Sequence, residues 1–215
     1  MSGNALTLSS VSKRYGRHGV LDDVSRSFGP GVTVITGPSG VGKSTLLRLC
    51  ASVETPTSGS VLWRGQPVSK QRRAFRRGLG YAPQRIDFPE DVTGLDFLLH
   101  VGALKGLGVK GTRKQGAALL DRVGLRSDAR RRIATYSGGM RRRLGVAQAF
   151  LGAPDILVLD EPTAELDVET AGHVNDLILK AGERAVVLMT THLDSALAGR
   201  VHERFALQRQ AVPAA

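Results

Sequence analysis

The chain is short of cysteine, aromatic residues, acid and long apolar runs, and each shortage excludes something. Cys50 is the only cysteine in 215 residues, so no disulfide can form within the chain and a disulfide scaffold is excluded. Such usage fits a reducing compartment. No apolar run approaches the ~18 residues of a spanning helix, so passage through a bilayer on helices is not expected. The start, Met1-Ser2-Gly3-Asn4-Ala5, has no basic stretch followed by an apolar block, and no signal peptide is expected there. Aromatics make up 5%, thin for a platform that stacks single-stranded nucleic acid. Acid is outnumbered, with 19 Asp+Glu against 30 Lys+Arg and a net charge of +11. That balance suits polyanionic partners: nucleotide, nucleic acid or an acidic membrane surface.

The rest is globular material. With 41% hydrophobic and 23% charged residues, the chain can bury a real core, which rules out disorder as the main state. The length suits one domain, with room for a small appended lobe.

The first lobe reads as short strands: 5–8 and 24–28 alternate, and 32–36 is β-branched after the turn signal Gly29-Pro30-Gly31. A glycine-rich loop leads to a helix-compatible run over 44–51, and 60–63 and 79–82 read as further short strands. From about Thr93 to Ala153 the spacing turns helical, with Leu95, Leu98, Leu99, Leu119, Leu120 and Val123 as markers. Residues 156–159 and 185–189 are continuous apolar runs of strand length, as buried parallel strands require, with a helical pattern over 168–180 between them. Strands alternating with helices predict an α/β fold with a covered parallel sheet.

Three segments carry chemistry. Gly37-Pro38-Ser39-Gly40-Val41-Gly42-Lys43-Ser44 fits G-x-x-x-x-G-K-[ST], between a strand and a helix. Glycines let backbone N–H groups wrap phosphate oxygens, and the helix start adds its free N–H groups and positive dipole end. Lys43 then supplies charge to the β- and γ-phosphates, and the Ser44 hydroxyl ligates Mg²⁺. Asp160-Glu161 ends a buried strand, where open α/β sheets bind ligands. Asp160 is suited to hold Mg²⁺ through water, and Glu161 to polarise an attacking water. Ser137-Gly138-Gly139 opens a helix with a good N-cap and a close-approach glycine pair, a second anion-binding helix start. The run Arg141-Arg142-Arg143 opposes the helix dipole; such a run persists where an anion or acidic partner sits nearby, and its plain reading is a solvated basic face.

In this order and spacing the segments resemble the nucleotide-binding subunit of ATP-binding-cassette (ABC) transporters over nearly the whole chain. Gly37 to Thr45 resembles the Walker A loop, and 156–161 Walker B with the catalytic glutamate Glu161. Gln84 in Tyr81-Ala82-Pro83-Gln84 resembles the Q-loop glutamine, Tyr136-Ser137-Gly138-Gly139-Met140 the signature motif, Ala164-Glu165-Leu166-Asp167 the D-loop, His192 the switch histidine and Tyr15 the aromatic that stacks on adenine. The resemblance implies a P-loop NTPase core, a parallel sheet flanked by helices, with an antiparallel β subdomain and an inserted helical subdomain. It implies one ABC domain over 1–215, with 1–90 and 154–208 forming the core with its β subdomain, and about 91–153 the helical signature lobe.

It also implies a mechanism. Two subunits pair head to tail around two ATP molecules, each ATP held by the Walker A loop of one and by Ser137, Gly138 and Gly139 of the other, with Asp167 nearby. Mg²⁺ falls to Ser44, Gln84 and Asp160, and catalysis to Glu161 with His192 and Gln84. The implied partners are a polytopic permease and a second copy or a paralogous ATPase; the basic surface adds anionic lipid, and no specific nucleic acid is expected. The implied place is the cytoplasmic face of a bacterial membrane, as a peripheral subunit. Met140 stands where Gln is common, Tyr136 where Leu is frequent, and Glu165 where the D-loop usually has a small residue. The signature variant followed by three arginines resembles a branch of exporters with separate permease subunits. The alternative from a different class is a soluble ABC-type ATPase acting on ribosomes or nucleic acid, prompted by the clusters at Arg72, Arg73, Arg76, Arg77 and Arg130 to Arg132.

Overall fold

A computed structural model describes residues 5–191 and 199–208. The chain opens with a long antiparallel hairpin, β1 (Leu6–Tyr15) and β2 (His18–Phe28). Next come β3 (Gly31–Thr36), α1 (Lys43–Cys50), β4 (Ser58–Trp63), the short β5 (Gln66–Pro67), α2 (Arg72–Gly78) and β6 (Leu79–Ala82). Three helices follow, α3 (Gly94–Leu104), α4 (Val109–Arg122) and α5 (Gly138–Ala149), then β7 (Ile156–Asp160), α6 (Val168–Gly182), β8 (Val186–Thr190) and β9 (Glu203–Ala206).

The strands form two sheets. One is four-stranded and antiparallel in the order β2-β1-β4-β5; the other is five-stranded in the order β6-β7-β8-β3-β9, with parallel neighbours throughout. Every residue of β7 and β8 is buried, which is why both read as unbroken apolar runs. This is the arrangement that the resemblance implies: a covered parallel sheet, an antiparallel sheet, and α3–α5 inserted between β6 and β7.

The hairpin is longer than its sequence pattern suggests. Alternation predicts strands over 5–8 and 24–28, whereas β1 runs to Tyr15 and β2 begins at His18. Register shifts between Leu8 and Val11 and again up to Arg14, with Ser10 and Asp23 at positive φ, break the period of two while the ladder continues. The bulged extension carries Tyr15 within hydrogen-bond reach of Glu54 and Arg48.

Two apolar clusters share the parallel sheet. One joins α1 and the antiparallel sheet to one face, through residues such as Leu6, Phe28, Leu46 and Val158. The other joins α5, α6 and the helical lobe to the opposite face, through Leu98, Leu120, Leu144, Leu159 and Ile178. Cys50 is fully buried at the end of α1, and burial pushes its thiol up to about 12, so it packs as a small apolar residue behind the phosphate loop.

Candidate nucleotide site

The phosphate loop leaves the C-terminal end of β3, and α1 begins at Lys43, one residue earlier than the sequence pattern predicts. Val41 is buried and pins the loop to the core beneath, while residues 37–40 are exposed. Gly42 is the N-cap at φ 106, and a Cβ there would lie 2.9 Å from Val20 Cγ1, so this position needs glycine twice over. No side chain caps the helix, which leaves its first N–H groups turned to the loop's concavity, as anion binding requires. Lys43 Nζ lies over that concavity, donating to the carbonyls of Gly37 (2.8 Å) and Pro38 (2.9 Å). Ser44 is half-buried in the first turn, and Thr45 beneath it is buried.

The acidic pair sits two strands away, because β8 stands between β3 and β7. Asp160 is the last residue of β7 and is 5% exposed. Its register partner is Thr190 at the end of β8, whose hydroxyl donates to Asp160 Oδ1 at 2.6 Å. The same hydroxyl accepts from the Glu161 N–H at 3.0 Å. Glu161 itself has φ 51, an uncommon conformation for a residue other than glycine, and three elements hold it there. Besides Thr190, Arg142 of α5 donates to its carbonyl (3.1 Å) and Gln84 after β6 donates to its carboxylate (3.3 Å). Gln84, Asp160, Glu165, Gly138 and Arg142 line one cleft of about 450 Å³.

The donor set fits Mg²⁺. Ser44, Gln84 and Asp160 offer hydroxyl, amide and carboxylate oxygens, the hard ligands that this ion takes alongside phosphate and water. Among the described residues no cluster of three or more His, Cys, Asp and Glu forms a cage.

Ser137 caps α5, its hydroxyl accepting from the Met140 N–H at 3.2 Å. Tyr136 is buried, and its hydroxyl donates to the Asp128 carbonyl at 2.7 Å. It fits because the first residue of α3 is Gly94, where a Cβ would collide with the Tyr136 hydroxyl. The arginine run departs from the expected solvated face. Arg141 pairs with Glu90 (3.0 Å), Arg142 holds Glu161, and Arg143 donates to the carbonyls of Gly124 (3.1 Å) and Val123 (3.4 Å). Own-chain acceptors thus engage all three charges that oppose the dipole. Asp167 caps α6 through the Thr170 N–H (2.8 Å), and hydrogen bonds from Thr170 hold its carboxyl below the usual range.

Tyr15 is 43% exposed at the rim, as a stacking aromatic must be, and is not loose. Its hydroxyl donates to Glu54 Oε2 (2.5 Å), and Lys13 Nζ lies 4.9 Å from its ring centroid and 3.1 Å from the same carboxylate. Arg48 of α1 bonds Glu54 (2.6 Å), Tyr15 (3.4 Å) and Thr45 (3.1 Å). Lys13, Arg48 and Glu54 therefore tie the aromatic to the helix of the phosphate loop. Sequence reading missed them because Arg48 and Glu54 lie more than 30 residues from Tyr15 and belong to no motif. Burial raises the Glu54 carboxyl, but hydrogen bonds from Tyr15, Lys13 and Arg48 outweigh it and hold the group below its ordinary value. Its stabilisation is full above the unfolded carboxyl's pKa and is lost as pH falls through the lowered folded value. Glu54→Gln is expected to raise the KM for ATP about threefold to tenfold, roughly 1 kcal/mol, with kcat within about twofold. An unchanged KM in steady-state hydrolysis would remove the strap from nucleotide binding.

The structure brings Gln84, Asp160 and Gly138 to one cleft, with the Glu161 carboxylate bonded to Gln84, while the phosphate loop opens separately at the end of β3. His192 lies outside the described residues. Residues 21–164 match the family described as ABC transporter. An ABC transporter ATP-binding protein of Bacillus subtilis, YxlF, is 36% identical over 87% of this chain and 62% of its own length. The daunorubicin resistance ATP-binding protein DrrA3 of Streptomyces coeruleorubidus is 34% identical over 94% of this chain and 65% of its own. The chain thus spans about three fifths of the length of these relatives. The solved dimer of MJ0796, a bacterial ABC transporter cassette, superposes with a TM-score of 0.82 at 25% identity, covering 94% of each chain.

Proposed function

The chain belongs to the ABC transporter family, and we propose that it is an ATP-hydrolysing subunit that powers a separate membrane permease. The observation that carries this reading is the carboxylate of Glu161. It is held at a positive φ just past a buried strand, with the Gln84 amide 3.3 Å away and the phosphate loop two strands over. The loop and Lys43 cradle the phosphates, and Tyr15 stacks on the base. Mg²⁺ at Ser44, Gln84 and Asp160 would neutralise charge on the β- and γ-phosphates. Glu161 takes the proton of the attacking water, and Gln84 orients its carboxylate. A second copy or a paralogue closes the site, offering Ser137, Gly138 and Gly139 to the γ-phosphate. The phosphate charge is then met from both sides, and hydrolysis loosens the pair. His192 is assigned to the γ-phosphate on the family resemblance alone.

Among the described residues no helix is long and apolar enough to cross a membrane, which is in keeping with a translocation path in another chain. Export, from the cytoplasmic face of a bacterial membrane, is assigned on the family resemblance. The test is a pull-down from detergent-solubilised membranes with the Glu161→Gln chain and ATP. Stoichiometric recovery of a polytopic membrane protein is expected; ribosomal proteins or nucleic acid in its place would favour the soluble alternative.

Glu165 has φ 63, and its carboxylate oxygen lies 3.8 Å from where a Cβ on Gly138 would stand. The D-loop acid thus lies against its own signature helix start, on the surface that the proposed pairing covers. Glu165→Gly is expected to keep ATP hydrolysis and to change chiefly the ATP-dependent dimer affinity, read by sedimentation. A complete loss of turnover would refute this.

A further inference from the structure

We propose that the face formed by α2 and the α3–α4 turn is a docking surface for an anionic lipid bilayer. Two stretches free of acid meet there. Residues 68–82 carry Lys70, Arg72, Arg73, Arg76 and Arg77, and residues 97–120 carry Lys105, Lys110, Arg113 and Lys114, with no Asp or Glu in either. Nine of the chain's eleven net positive charges thus come from two short segments.

The fold puts the segments side by side. Phe75, fully buried, packs edge-on against Trp63 at 5.6 Å and is the only buried residue of α2, so the four arginines of that helix are exposed. The end of α2 reaches the turn after α3, where a Cβ on Gly106 would stand 3.7 Å from Arg77 Nη2. Eight of the nine cations are exposed; only Lys105 turns inward, donating to the Leu151 carbonyl at 2.6 Å. Among the described residues none of the nine forms an ion pair, although Arg48, Arg64, Arg131 and Arg141 elsewhere all do. The carboxylate beside the end of α2, Asp155, is held by Arg64 at 3.0 Å.

Charge alone suits any polyanion. Leu104 and Val109 decide between them. They flank the turn at 88% and 67% exposure, among the most exposed large apolar side chains described. Apolar side chains projecting from a cationic ring match the two layers of a bilayer interface, acyl boundary and anionic headgroups. A nucleic-acid surface asks for stacking aromatics or groove-reading polar groups at that place, and Phe75 is buried. The charge lies on the side of the molecule away from the phosphate loop, at the N-terminal end of β6, so it does not serve to hold nucleotide.

The inference does not depend on hydrolysis, and its test needs neither permease nor ATP. The full chain is sedimented with vesicles of phosphatidylcholine alone and of phosphatidylcholine with about 30% phosphatidylglycerol. Binding to the anionic vesicles only is expected, weakening as salt rises. Combining Arg72→Gln, Arg73→Gln, Arg76→Gln and Arg77→Gln is expected to cut the partition coefficient about 600-fold, at about fivefold per cation near the surface. Leu104→Ser with Val109→Ser is expected to reduce binding about tenfold at constant charge. Both variants should keep wild-type thermal stability and ATP binding. Equal binding to neutral and anionic vesicles, no binding to either, or a silent apolar pair with short duplex RNA bound as tightly as vesicles would each overturn the proposal.

Discussion

Glu161→Gln is expected to lower ATP turnover at least about a hundredfold while leaving ATP binding and the fold intact. The substitution keeps the shape and removes only the basicity. A positioned general base is worth about 10² to 10⁴ in rate, and a hundredfold loss corresponds to about 2.7 kcal/mol of barrier. What fixes residue 161 in space is its backbone: the N–H bonded to Thr190 and the carbonyl bonded to Arg142. A glutamine retains both contacts and can still meet the Gln84 amide, so the positive φ survives. The loss should therefore fall on kcat, with the nucleotide dissociation constant changed little. If hydrolysis stops, the γ-phosphate that joins two subunits persists, and the variant should accumulate as an ATP-bound dimer by sedimentation. Turnover near the wild-type rate would take the base away from Glu161. Equal loss of nucleotide binding would show instead that the carboxylate holds the ground state.

The residues that the sequence made legible are those whose chemistry is local. Glycines at 37, 40 and 42, Lys43 and Ser44 must be consecutive because one turn wraps one phosphate chain, and β7 must be apolar because both its faces are covered. The Ser137 cap was legible for the same reason, since it acts on the N–H three residues on. What stayed hidden is long-range. The full length of β1 and β2 is masked by bulges that shift the register without ending the ladder. The arginine run reads as a solvated face until α5 is seen to lie along the loop after β7 and the end of α4, where carbonyls await Arg142 and Arg143 while the Glu90 carboxylate meets Arg141. The strap on Tyr15 joins residues 33 and 39 positions apart, and neither partner belongs to a motif.

Thr190 is the sharpest example of that hidden class, and Thr190→Val is expected to cost about tenfold to a hundredfold in kcat. Strand order explains its place. Because β8 is threaded between the phosphate-loop strand and β7, its last residue stands between the loop and the acidic pair. One hydroxyl there does two jobs. It donates to the buried Asp160 carboxylate, whose charge would otherwise stand in a poorly solvated place, and it accepts from Glu161 at the point where the backbone turns to positive φ. Valine has nearly the same shape and neither function. Removing the donor leaves a buried carboxylate short of one bond, a cost of about 1–3 kcal/mol in stability. Removing the acceptor frees the Glu161 backbone to relax, so the carboxylate no longer points where Gln84 meets it. Thr190→Ser restores the hydroxyl and should restore most of the turnover, which separates the hydrogen bonds from the packing. The decisive comparison is kcat for the Val and Ser variants at saturating ATP. If both turn over at the wild-type rate, Glu161 is held in place without Thr190. If both fail equally, the methyl packing is needed as well, and the hydrogen bonds alone do not account for the loss.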